Sequence, residues 1–125
     1  MSSWVQWIGL PHGFGARPED GEAADCLLMV WSVLDESGVK HPPLNPDWLK
    51  IAELGEWSRL KEEWNRITRP LSRPQLYSVA LSDHGRNGLG VSIVVSEGLL
   101  FVHHRRGVHC APLKVFAGYD FREFV

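Results

Sequence analysis

Residues 7–34, WIGLPHGFGARPEDGEAADCLLMVWSVL, constrain the fold most, because a loop rich in Gly and Pro delivers a cysteine to the start of an apolar helix. Cys26, Met29, Val30, Val33 and Leu34 fall at i, i+3, i+4, i+7 and i+8, the spacing of one buried helical face. Asp25 stands where an N-cap belongs, and the helix is expected to stop near Ser37 with Gly38 as its C-terminal glycine. Cys26 therefore lies in the first turn. Unpaired backbone N–H groups and the positive end of the helix dipole favour a thiolate there, and the thiolate is the nucleophilic form. The same place on an apolar stripe also suits a buried core cysteine.

Helices are expected before strands. Residues 2–8 have a serine cap and apolar Trp4, Val5 and Ile8 at helical spacing, which predicts a short leading helix. In the loop that follows, the acids Glu19, Asp20 and Glu22 read as solvated. His41-Pro42-Pro43 enforces an extended link, and Asn45-Pro46-Asp47 starts a helix running toward Leu54. Gly55 separates it from a second helix that carries Trp57, Leu60, Trp64 and Ile67 and must end before Pro70. Tryptophans at that period read as core, with stacking on sugar rings as their other use. Residues 75–81, 91–95 and 99–103 read as strands, the last two joined through Ser96-Glu97-Gly98 as a hairpin. Residues 108–115 and 119–124 supply one or two more. This order predicts an α+β fold, with residues 1–125 in one domain.

A chain of 125 residues with 44% hydrophobic content can bury a core without staples. Its net charge of -2 provides no field for nucleic acid or an anionic membrane. Two cysteines, Cys26 and Cys110, are too few for a disulfide framework. No apolar run approaches the roughly 20 residues of a membrane span, and no basic segment precedes an apolar core at the N-terminus, so neither a span nor an export signal is expected.

Gly9-Leu10-Pro11-His12-Gly13-Phe14-Gly15-Ala16, a polar loop, then Asp25-Cys26 and an apolar helix resemble the NlpC-type cell-wall peptidases, especially the short versions found in phage tails. Those are papain-like cysteine hydrolases. In that family an aromatic follows the Pro and precedes paired glycines; here His12 takes the aromatic's place and Ala16 that of the second glycine. Asp25-Cys26 is kept, whereas the family's following glycine is Leu28. Arg73-Pro74-Gln75-Leu76 replaces the family's Pro-Gly-Asp, and Gly90-Val91-Ser92-Ile93 replaces its His-Val-Gly-Ile. Phe101-Val102-His103 matches its closing apolar pair and histidine.

The resemblance implies a papain-like fold in which the cysteine helix packs on a small antiparallel sheet. It implies Cys26 as nucleophile, His103 as the residue that orients the base, and His12 beside the thiol at a binding position. Gly90 stands where the family holds its base and has no side chain to deprotonate a thiol. His84, in the preceding loop, or His12 could substitute. Two functions follow. One is an endopeptidase or amidase that cuts peptidoglycan peptides during infection. The other is a catalytically inactive structural protein of the phage tail tip or baseplate hub. Either implies the virion tail after synthesis in the host cytoplasm, other tail or baseplate proteins as partners, no nucleic-acid or membrane partner, and no cofactor.

Strand alternation predicts that His103 and His104 point to opposite faces, so that only one faces Cys26; His103 shares its face with Leu99 and Phe101 and also fits a hydrogen-bonded core histidine. Arg105 and Arg106 read as solvated. His103, His104, His109 and Cys110 are of zinc-binding types, but their spacing matches no common zinc module, so no metal is expected.

Overall fold

The computed structural model describes residues 4–116 and 118–125. Helices α1 (Trp4–Trp7), α2 (Cys26–Ser37), α3 (Asp47–Glu53) and α4 (Trp57–Ile67) precede all the strands. These are β1 (Thr68–Pro70), β2 (Val79–Asp83), β3 (Leu89–Val95), β4 (Gly98–His103), β5 (Gly107–Ala111) and β6 (Asp120–Phe124). They form one antiparallel sheet in the order β1-β6-β2-β3-β4-β5. The α+β class expected from the element order is therefore present.

The Asp25 carboxylate caps α2, accepting from the N–H groups of Leu27 at 2.9 Å and Leu28 at 3.4 Å. Gly38 ends the helix in the left-handed region at φ 77°. Besides Met29, Val30, Val33 and Leu34, the helix buries Leu27, Leu28 and Trp31, so it is apolar nearly all round and sits within the core against β3. The start of α3 is also as expected, with Asn45 Oδ1 accepting from the Asp47 N–H at 3.0 Å. Along α4, Trp64 is core and packs with Trp31, Trp48 and Phe124 at ring separations of 5.2 to 6.2 Å, whereas Trp57 is half-buried and packs only at the edge of the core. Among the described residues no helix is long and apolar enough to cross a membrane.

The sheet separates two apolar clusters. Val79, Leu81, Val91, Ile93, Leu100 and Val108 face the helices, while Ala80, Val94, Leu99 and Phe121 face a smaller cluster completed by Phe116. Period-two alternation along each strand produces this division.

Three local expectations are corrected. In α1 the buried residues are Trp4 and Trp7, whereas Val5 and Ile8 are 47% and 46% exposed; the expected cap Ser2 lies outside the described residues. The strand expected over residues 75–81 begins only at Val79, because Tyr77 at φ 65° forms a bulge whose N–H bonds Val94 while the Val94 N–H bonds Ser78. Residues 113–116 form a short 3-10 turn, so β5 stops at Ala111. Strand β1 was not expected at all. It pairs with β6 at the sheet edge, where Pro70 needs no ladder partner for its nitrogen.

The N-terminal segment closes the opposite edge. Gly9 N–H donates to Val108 O and Val108 N–H to Leu10 O, each at 2.9 Å. Gly107 permits this approach at φ 76°, since a Cβ there would lie 2.0 Å from Leu10 O. The chain then runs beside Ala24, with Ala24 N–H donating to Pro11 O at 2.9 Å and Gly13 N–H to Ala24 O at 3.1 Å. His12 is thereby bridged to Ala24, the residue just before the Asp25-Cys26 pair.

Candidate active site

Strands β3 and β4 pair only from Ile93–Leu100 to Val95–Gly98. Beyond Ile93 the two strands part, β3 staying with β2 and β4 with β5. A cavity of about 750 Å³ occupies the V. Cys26, His12, His84, His103 and His104 all line it, together with Ser82, Gly90 and Trp57. The fold thus gathers Cys26 and the four histidines weighed for its chemistry around one cleft, although they come from four separate parts of the chain, whereas His109 and Cys110 do not line it.

The thiol enters from the start of α2 and is partly buried. The backbone N–H groups of Val91, Leu27 and Cys26 lie near its sulfur and favour the thiolate, although the Leu27 N–H is bonded to Asp25 Oδ1. Desolvation is stronger, and the adjacent Asp25 carboxylate adds repulsion, so the thiol is pushed up from 9.0 to about 11. The thiolate expected from the helix terminus is therefore outweighed, and Cys26 is a protonated thiol at neutral pH. Asp25 is itself buried, with Gly15 N–H bonding its second carboxylate oxygen at 2.9 Å. Replacing it by asparagine removes the negative charge and one acceptor. Asp25→Asn is expected to lower the Cys26 pKa and to cost about 1–2 kcal/mol of stability. Thiolate ultraviolet absorbance against pH, with urea unfolding, checks both signs.

No imidazole hydrogen-bonds the sulfur among the described residues. His84 instead pairs through Nε2 with Ser82 Oγ at 2.8 Å. Its ring leans over Gly90, where an added Cβ would lie 3.9 Å from His84 Nε2 and 3.4 Å from Ser82 Cβ. Alternation places Ser82, the missing side chain of Gly90, and His103 on the sheet face away from the helices, and the open V connects that face to Cys26.

His103 accepts at Nδ1 from the N–H groups of Arg105 and Arg106 at 3.0 and 3.1 Å. This fixes the neutral ring with its proton on Nε2. Desolvation and the neighbouring His104 and Arg106 hold its pKa below the ordinary histidine value. Contrary to the alternation expected for a continuing strand, His104 already lies in the β4–β5 turn, and its ring stacks on His103 at 4.6 Å. Both histidines therefore line the cleft. His109 belongs to β5 and bonds its own strand at Gly107 O. Among the described residues no group of three or more His, Cys, Asp or Glu side chains is placed to hold a metal ion.

Two contributors to the cleft were not singled out from sequence. Ser82 could have been found from its i, i+2 spacing to His84 on one strand face. The Val91 N–H carries no side-chain signal at all. Comparisons with protein-family models, with characterised proteins and with solved structures return no match for this chain.

Proposed function

We propose that this chain is an NlpC-type, papain-like domain of a phage tail tip or baseplate hub in which the peptidase cleft is kept and its chemistry is silent. The observation that carries this reading is the desolvated, protonated Cys26 thiol in a cleft where position 90 is glycine. A thiol hydrolase needs a thiolate and an imidazole that can take its proton. Here the groups that favour the thiolate are backbone N–H groups rather than an imidazole, and Asp25 opposes ionisation. The N-terminal cysteine helix lying against an antiparallel sheet supports the papain-like part of the reading. Its partners are other tail or baseplate proteins.

A working endopeptidase or amidase is the second reading, with Cys26 as nucleophile, His84 as base, His103 as the orienting residue and His12 at the binding position. The position of His84 beside the empty side-chain site of Gly90 favours it. Purified protein incubated with peptidoglycan, with released peptides followed by mass spectrometry, separates the two. The expected result is no release beyond that of Cys26→Ser, and phage carrying Cys26→Ser that assemble and infect normally. Peptide release abolished by both Cys26→Ser and His84→Ala would replace the silent reading with the hydrolase.

A further inference from the structure

Hydrogen bonds on the flanking strands determine which way the backbone faces inside the V. Val94 donates to Ser78 O at 2.9 Å and accepts from Tyr77 N–H at 2.8 Å, so its peptide groups face β2. Backbone direction alternates along a strand, which turns those of Leu89, Val91 and Ile93 toward β4. On the other side, Val108 exchanges its bonds with Gly9 and Leu10, outward from the sheet. Val102 pairs with Val108 and so turns its N–H and C=O away from β5, into the V.

Continuing the Ile93–Leu100 register would set Val91 opposite Val102, but the ladder ends before that pair. The Val91 N–H lies near the sulfur of Cys26 instead. Facing the opening are the backbone groups of Leu89, Val91 and Val102, which lie beyond the end of the β3–β4 ladder. A strand edge of this kind is satisfied by the alternating N–H and C=O groups of an extended polypeptide.

Charge around the mouth selects among such polypeptides. Arg86 in the β2–β3 turn and Arg105 and Arg106 in the β4–β5 turn are exposed and have no ion-pair partner among the described residues. The acids on the cavity wall, Asp25 and Glu53, lie on the helix side, and Asp25 is already held by three N–H groups.

We propose that the V between β3 and β4 is a docking slot for an extended acidic segment of a partner protein. The segment adds as a short strand to the free edge at Leu89, Val91 and Val102 and sets its carboxylates against Arg86, Arg105 and Arg106. This slot needs no catalysis and does not depend on the peptidase-like reading of the cleft.

The test is amide-resolved NMR of the whole chain titrated with a short L-peptide of alternating glutamate and valine. Shifts and slowed exchange are expected at the amides of Leu89 and Val102. Methylating alternate peptide nitrogens of that ligand, or the surface change Arg105→Glu with Arg106→Glu, is expected to weaken binding about tenfold or more, the scale of losing one or two hydrogen bonds or charge pairs. Both controls leave the core of the fold untouched. The proposal is overturned if the L-peptide leaves those amides unmoved, if the methylated peptide binds equally well, or if only a cell-wall peptide shifts them.

Discussion

Trp64→Ala is expected to cost about 3–5 kcal/mol, whereas Trp64→Phe is expected to cost at least about 2 kcal/mol less. Trp64 is fully buried at 0% exposure and packs with Trp31, Trp48 and Phe124, so truncation to alanine opens a cavity among rings from three helices and the last strand. Its indole Nε1, like that of Trp48, is buried without a hydrogen-bond partner. An unpaired buried donor is a standing penalty of about 1–3 kcal/mol, and phenylalanine removes it while keeping most of the ring. Equilibrium urea unfolding of the two variants measures the difference. Equal losses would mean that the Nε1 group finds a partner, most simply a buried water.

The second large effect concerns Cys26 and pH. Because its thiol sits at about 11 in the folded chain against 9.0 unfolded, the folded state holds its proton longer as pH rises. Stability from this group is fully present below the unfolded value and is lost as pH rises through the folded one. Two pK units correspond to about 3 kcal/mol. Wild type is therefore expected to lose about that much more stability than Cys26→Ser as pH rises from below the unfolded value to above the folded one. Burial moves Cys110 in the same direction, and that contribution is common to both proteins, so it cancels in the comparison. Alkylation should agree: at neutral pH the folded Cys26 should react more slowly than the same cysteine in urea. Parallel stability curves, or fast labelling of folded Cys26, would restore an activated thiolate and with it the hydrolase.

The parts of the fold legible in the sequence are those decided locally. The Asp25 cap, Gly38, the Asn45 helix start, the tryptophan stripe of α4 and the β3–β4 hairpin each depend on residues a few positions apart. What was hidden depends on distant partners. Strand β1 exists only because Thr68, Arg69 and Pro70 meet Phe124, Glu123 and Arg122. The choice of Trp4 and Trp7 over Val5 and Ile8 as the buried pair is likewise made by the core they meet. At the site, Cys26 was legible as a helix-start thiol, but its ionisation was not. Burial by the sheet and repulsion from Asp25 outweigh a terminus that in isolation favours the thiolate. The stacking of His103 on His104 was also hidden, since it requires β4 to end one residue earlier than simple alternation assumes.

The seam of Gly9 and Leu10 on Val108 also has a mechanical consequence. Tension applied at the N-terminus must unseat buried Trp4 and Trp7, then the pair on β5 and then the pair on Ala24, before it reaches Cys26. A pull on this end peels the first seam before it loads the cysteine helix, so the cleft is insulated from strain transmitted along its own leading segment.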